Sequence, residues 1–509
     1  MLEKILLKNN VGFIRAEIKD MHDEWELIRD CLIGETAVKL KTTKYLPYPS
    51  SVKCDDGTVD NDLYEQYITR ANFLNTTRRT IYHLLGEVFI KPPVVEVEDN
   101  ELIKKLLENA TCNGVSLEQC AKNSLKHNIA YAYGCVILLI DEVAPNLTKA
   151  QFNAGAWRPR VKNFSPFQIR NFRIENVNGE EKLTLVVLGD ETYIYDNDGF
   201  ETERVEMLHV MQLIDGKYRY REYRSKNIAG TTISVGNYEL YREYYPTDAH
   251  GQHLNAIPCF FFGMENNNPY PDVPIMYDLA SLNIAHYRNS ADYEQTMFIA
   301  GQATLVLTGS NSETTYSTDD AKEPTIKMGV NRAILLKNGG TAALLQAKSD
   351  TGLFEAMDTK EKQMAALGAR FLKTSDVVKT AYQVKVENPA QSTILGNCAA
   401  NVANAYTDLL KFAHVICGLD PNNVRFELNT DFEYNRVGSE EITTATNCYI
   451  TGGISFKEWR DVLRRARLAS EDDEVVLKEV EKRKAEEAQK AQQQSTGENA
   501  GTGNNETIE

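Results

Sequence analysis

Residues 351–418 read TGLFEAMDTKEKQMAALGARFLKTSDVVKTAYQVKVENPAQSTILGNCAANVANAYTDLLKFAHVICG, two apolar-periodic runs on either side of a polar connector. In the first run Leu353, Met357, Met364, Leu367 and Phe371 recur at helical spacing, which sets them on one face. The connector, 374–391, carries Lys379, Lys385 and Asn388-Pro389. Because a proline drives the residue before it towards extended geometry, no helix is expected to cross it. The second run opens near Ser392 and repeats Leu395, Cys398, Val402, Tyr406, Leu409, Phe412 and Ile416 until Gly418 supplies a C-terminal cap. At 1.5 Å per residue this is a helix of roughly 38 Å. Gly396, Ala399, Ala400, Ala403 and Ala405 keep the surface beside its seam small, so the helix needs close neighbours on more than one side.

Working outward, a helical run over 275–300 carries Leu279, Leu282, His286, Tyr293 and Phe298 and stops at Gly301. An insert over 303–350 follows, with strands at 304–307 and 332–336 around a Ser/Thr-rich middle. Upstream, 17–40 reads as helical, with Trp25, Ile28, Leu32 and Ile33 on one face, until Tyr45-Leu-Pro-Tyr-Pro49 breaks the pattern. A second helix is expected over 61–85, stopping at Gly86, and an amphipathic pair over 101–128. Cys135-Val-Ile-Leu-Leu-Ile140 reads as a buried strand by its length and β-branching. From 160 to 260 short strands dominate, at 182–188, 203–213, 217–223 and 238–244, with Ile257-Pro-Cys-Phe-Phe-Phe262 closing the sheet. After the long helix come a strand at 424–428 and two helical segments split at Gly452-Gly453. From Ser495 the chain has almost nothing apolar to offset ordering entropy, and a disordered tail is expected. The class is α+β.

Acidic residues outnumber basic ones 72 to 56, a net charge of −16 over 509 residues. Wrapping nucleic acid needs a basic patch that displaces counterions, so this balance argues against that mode. It fits a solvated acidic surface, and equally a non-adhesive passage for a polyanion. The nine cysteines form no CxxC pair and no ladder of short spacings, which points away from zinc and disulfide frameworks and towards a reducing compartment. No uncharged apolar run approaches the length of a membrane span, and MLEKILLKNN lacks a signal-peptide core, so a soluble, untargeted chain is expected.

None of the motifs GxxxxGK[ST], HExxH, GxSxG or strand-borne GxGxxG is present, and no catalytic residue, cofactor or metal is expected. His250-Gly-Gln-His253 comes nearest to a metal pair, but on a loop without a third ligand at useful spacing. Arg460, Arg464, Arg465 and Arg467 run along a helix, where pairing with nearby acids is expected ahead of phosphate binding.

The order of parts is an α-helical and β-rich first half, a helix, a strand-bearing insert, a returning helix, a loop, a long helix and C-terminal helices. It resembles the portal proteins of tailed bacteriophages, and is most similar to their podovirus- and prophage-type subfamily. The stretches that carry the likeness are Tyr67-Ile-Thr-Arg-Ala-Asn-Phe-Leu-Asn-Thr-Thr-Arg78 with Gly86-Glu-Val-Phe-Ile-Lys-Pro-Pro93, Asp278-Leu-Ala-Ser-Leu-Asn-Ile-Ala-His-Tyr287 with Ser290-Ala-Asp292, and Met364-Ala-Ala-Leu-Gly-Ala-Arg370. The polar insert at 310–323 departs from the pattern.

The resemblance implies a portal fold assembling as a ring around a central channel. Residues 1–270 would form the wing, 271–302 and 351–373 the stem, and 303–350 the clip. A tunnel loop over 374–391, a long wing helix and strand over 392–437, crown helices over 438–494 and a tail over 495–509 complete it. It also implies a non-enzymatic ring of twelve copies at one capsid vertex of the virion, assembled in the host cytoplasm. The ring would serve as the channel for packaging and ejection of double-stranded DNA, without sequence specificity. Its further partners would be the terminase large subunit, the head-tail adaptor, the major capsid protein and the scaffolding protein, with no membrane. On this reading Lys373, Lys379 and Lys385 face the DNA, Asp319 and Asp320 dock partners at the clip, and Ala403 and Tyr406 lie between subunits. Two alternatives use the same residues differently: a non-phage oligomeric scaffold built on the long helices, and a metal-dependent hydrolase built on His250 and His253.

Overall fold

The computed structural model describes residues 10–53, 58–142, 158–177, 179–195, 198–200, 202–225, 238–302, 304–308, 341–345, 351–371, 393–430, 432, 439–465, 468–469, 473, 476–478, 480 and 482. The helices of the first half are α1 (Ala16–Asp20), α2 (His22–Ile33), α3 (Glu35–Leu40), α4 (Asn61–Arg70), α5 (Thr76–Val88), α6 (Glu101–Glu108) and α7 (Leu117–Tyr131). Those of the second half are α8 (Met276–Gly301), α9 (Thr351–Arg370), α10 (Ile394–Cys417), α11 (Ser439–Ile450) and α12 (Phe456–Arg465). The strands are β1 (Val94–Glu96), β2 (Tyr133–Leu139), β3 (Arg160–Phe164), β4 (Ile169–Val177), β5 (Glu180–Tyr195) and β6 (Thr202–Ile214). They continue with β7 (Lys217–Ser225), β8 (Tyr238–Tyr244), β9 (Cys259–Gly263), β10 (Thr304–Thr308), β11 (Thr341–Leu345) and β12 (Arg425–Glu427). The mixture of helices and antiparallel strands is α+β, and the chain divides into a unit over Met1–Asp431 and a smaller one over Phe432–Glu509.

In the larger unit, β4 to β8 form a five-stranded antiparallel meander in chain order; β6 keeps the expected bounds to within one residue at each end, whereas β5 runs on to Tyr195 and pairs with β6 as one long hairpin. The strand expected to close this sheet belongs elsewhere. β9 pairs with β2, whose other edge takes β3, because β2 is buried along its whole length and needs a ladder on both sides. Helices α7 and α10 pack against it. Trp25 of α2, fully buried, stacks on Tyr133 of β2 at 5.8 Å and donates its indole N–H to the Tyr131 carbonyl, fastening the N-terminal helices to this centre.

The helix expected over 61–85 is two helices. The chain leaves helical geometry at Ala71 and re-enters after Asn75, whose side chain caps α5 by accepting from the Arg78 N–H. Nor does α5 stop at Gly86: it continues to Val88, whose complete burial holds one more turn against the core. The long helix is present as α10, capped by Thr393 at its start and by Gly418 in left-handed geometry at its end. It is buried around most of its circumference, leaving Asn397, Asn404, Asp408 and Val415 as an exposed stripe. Strand β12 pairs with β1, and β10 with β11; the strand expected at 332–336 lies outside the described residues, as does the tail from Ser495.

In the smaller unit, Trp459 of α12 stacks on Tyr449 of α11 at 4.7 Å and donates to the Thr446 hydroxyl. Arg460 and Arg464 both reach Asp473, so these two cations are paired with acids; Arg467 lies outside the described residues.

Gly134 of β2 tests how closely this centre is packed. A Cβ there would stand 2.6 Å from the Phe262 ring, which is fully buried and has no room to swing away. Gly134→Ala is expected to lower unfolding stability by about 1–3 kcal/mol. The check is a shift of the denaturant midpoint at unchanged slope.

Candidate functional site

Helix α8 starts inside the protein and ends outside it. Met276, Leu279, Ala280, Asn283, Ile284, Tyr287 and Ala291 are buried, whereas Met297, Phe298 and Ile299 are 41–48% exposed. Helix α9 returns antiparallel beside it: His286 faces Glu361 at 3.3 Å, and seven residues on, Tyr293 faces Phe354, seven residues back. The expected apolar face of α9 is its packed one, with Met364 and Phe371 buried, while Phe354 is 60% exposed. Beyond the helices the same pairing passes into the β10–β11 ladder, Thr304 opposite Leu345 through Thr308 opposite Thr341. One antiparallel excursion, helical at its base and stranded farther out, therefore leaves the body of the larger unit.

Its base is held by buried polar contacts. The Asn283 side chain accepts from the Thr77 N–H and hydroxyl at 3.2 and 3.0 Å and donates to the Leu74 carbonyl at 2.7 Å. It thereby satisfies the backbone groups freed where α4 and α5 part. Farther along α8, the Asn72 N–H donates to Ser290, Tyr67 donates to Asp292 at 2.6 Å, and Arg70 donates to Gln295. Burial, and then the Asp292 carboxylate that accepts its proton, push the Tyr67 phenol well above the usual tyrosine range. Gly368 of α9 lies against α5, where a Cβ would meet the Thr80 methyl at 3.1 Å. The stretches 67–78, 278–292 and 364–370, separate in sequence, thus converge on one junction. The chain leaving this junction also returns to it, since the Leu395 N–H donates to the Phe371 carbonyl at 3.2 Å.

Lys373, Lys379 and Lys385 fall between those two residues and, with Asp319 and Asp320, lie outside the described residues. Ala403 and Tyr406 are described, and their surroundings come from their own chain. Ala403 is 7% exposed and Tyr406 fully buried, its hydroxyl 3.0 Å from that of Ser124 and donating to Asn163, its ring against Phe426. The small flank of α10 is filled by α7, β9 and β12, so it requires no neighbouring subunit. His250 stands against Gly418 and His253 edge-on to Tyr245, two different settings. Among the described residues no group of three His, Cys, Asp or Glu side chains is placed to hold a metal ion, and no helix is long and apolar enough to cross a membrane. The junction residues Asn283, Tyr67 and Asp292 were quoted in sequence without a role, and their contacts supply one.

A family described as a domain of unknown function, DUF4055, matches residues 275–415, which span α8, α9 and nearly all of α10. No curated protein matches. Among solved structures, the chain is similar to one from "Neck of empty GTA particle computed with C6 symmetry", with 11% identity and a TM-score of 0.38, covering 78% of this chain and 92% of that one. A chain from "Virion of native gene transfer agent (GTA) particle" gives 13% identity and 0.35, covering 85% and 98%. A third, from "Neck of native GTA particle computed with C12 symmetry", gives 12% identity and 0.35, covering 76% and 89%.

Asn283→Ala removes the acceptor of the buried Thr77 N–H and hydroxyl, while the Leu74 carbonyl keeps the Thr76 N–H, and is expected to cost roughly 1–3 kcal/mol for the buried group left unpaired. Asn283→Asp keeps the acceptor and loses the donor, so its loss should be smaller in the Thr77 contact and retained in the Leu74 one. Chemical denaturation measures both, and hydrogen exchange at Thr77 separates them.

Proposed function

We propose that this chain is the ring-forming subunit of a portal-type head-tail connector, a structural component of a tailed-phage particle with no catalytic activity. The observation that carries the reading is the antiparallel excursion of α8 and α9, continued by the β10–β11 pair, whose root also holds together Phe371 and Leu395 on either side of the 374–391 connector. The resemblance of three stretches to portal proteins adds to it, because those stretches form the junction at that root. On this reading the excursion is stem and clip, the connector lines a channel through which double-stranded DNA passes, and twelve copies close the ring at a capsid vertex. Terminase and the head-tail adaptor would dock at 303–350, through Asp319 and Asp320.

The exposed apolar side chains of the excursion, Met297, Phe298, Ile299 and Phe354, suit a head-to-tail contact that closes on itself. On this reading the subunit contact lies on the stem helices rather than on the buried flank of α10. Ile299→Glu with Phe354→Glu should abolish the ring in light scattering and leave the monomer's unfolding midpoint unchanged. Class averages of the wild-type protein without an axial hole would overturn the reading.

The connector lysines are expected to make weak, salt-screened contacts with passing phosphates, since exposed point charges are screened over about 8 Å at physiological ionic strength. Lys379→Glu with Lys385→Glu should spare the ring and reduce the DNA retained in capsids. Wild-type DNA content in such capsids would remove the lysines from the mechanism.

A further inference from the structure

The face shared by α5 and α7 gathers several cations on one surface without a carboxylate at ion-pair distance. Elsewhere Lys and Arg commonly sit on carboxylates, as Arg15 does on Glu17, Lys41 on Glu26 and Arg170 on Glu206. Arg79, Lys122 and Lys126 have no carboxylate partner among the described residues. Instead the Lys122 ammonium lies 5.5 Å from the Phe89 ring centroid and that of Lys126 5.8 Å from Tyr82, so cations and rings alternate across the two helices. Arg79 and Lys122 are exposed and Tyr82 is 54% exposed. His83, also exposed, is 3.9 Å from Glu87. Arg79, Tyr82 and His83 share one turn of α5, and Lys122 and Lys126 are successive turns of α7. Below them Ile81, Leu84, Leu85, Ala121 and Leu125 are buried, so the face is carried on a packed base. It adjoins the root of the excursion, since Thr80 is the residue that meets Gly368.

We propose that this face binds the phosphodiester backbone of nucleic acid. With 72 carboxylates in the chain, leaving three clustered cations unpaired is a choice against the prevailing charge, and it concentrates a local positive field in an acidic protein. An acidic peptide would gain little there, because exposed ion pairs contribute little. A nucleic acid gains through release of its condensed counterions. Lysine is a point charge without bidentate geometry, which suits contact with phosphates regardless of sequence. The exposed Tyr82 ring can stack an unpaired base, whereas a duplex would engage the cations alone. The inference takes the source of the nucleic acid from the proposed function, but its test needs neither ring nor capsid.

The experiment uses the full chain as purified, with a short fluorescein-labelled oligodeoxynucleotide, single-stranded in one arm and duplex in the other, and fluorescence anisotropy over a salt series. Lys122→Gln with Lys126→Gln should weaken binding about tenfold and flatten the plot of log affinity against log salt by about 1.4–1.8 units. Lys122→Arg with Lys126→Arg should restore both. A single-strand preference lost in Tyr82→Leu, or equal binding of both forms that is indifferent to it, supports the face and decides which form it takes. Unchanged affinity and slope in the double glutamine variant, no binding by the wild type at low salt, or equal competition by poly-glutamate would overturn the proposal.

Discussion

One carboxamide in the interior, Asn283, sets the direction in which the excursion leaves the protein. Where α4 ends and α5 begins, the backbone has polar groups that neither helix satisfies, and Thr77 there is fully buried. Asn283 supplies both a donor and an acceptor to that break from more than two hundred residues away. Because the amide plane is fixed by three hydrogen bonds, the turn of α8 that carries it is fixed as well. The contacts that follow along α8, to Asn72, Tyr67 and Arg70, are part-buried. The helix is therefore rooted in the core at Asn283 and exposed at Met297, Phe298 and Ile299, so it is held at its base and projects beyond it.

This constraint also explains what could and could not be read from the chain beforehand. The helices α8, α9 and α10 are legible because each has a sustained apolar period and a recognisable end. The break between α4 and α5 is not, since Ala71 and Leu74 continue the helical period and no Gly or Pro interrupts it. The distant Asn283 and Ser290 are what satisfy the backbone that extended geometry at Ala71 sets free. The Tyr406 seam was legible as buried but not as to what buries it: Ser124, Asn163 and Phe426 come from three separate parts of the sequence. The same limit applies to β9, whose apolar run announces a strand without saying which sheet it joins.

A second buried network shows why ionisable groups in the interior need not be chemical machinery. His209 is 3% exposed, with Nδ1 2.6 Å from the Tyr220 hydroxyl and Nε2 3.1 Å from Asp190, to which Lys162 also binds. Burial lowers the imidazole below its ordinary range, so at neutral pH it is uncharged. Burial works against ionisation of Asp190 too, but the hydrogen bonds from His209 and Lys162 outweigh it and hold that carboxyl below the usual range. With both ring nitrogens and the carboxylate committed to partners, the cluster joins β3 to the five-stranded sheet. The contacts link side chains of β3, β5, β6 and β7, and the cluster is a structural clasp.

The same economy governs the connector. The segment between Phe371 and Leu395 begins and ends at a single hydrogen bond, beside the contact of Gly368 with Thr80. Bringing the two ends of a chain segment together costs free energy that rises only as the logarithm of its length, about 0.6 kcal/mol for each doubling. The contacts that hold the root lie outside the segment and do not depend on what it contains. A frame built this way is insensitive to the length and charge of the segment it displays. Replacing Lys379 or Lys385 there leaves Asn283, Tyr67 and Gly368 where they are, so the charge of the segment and the stability of the junction can vary independently.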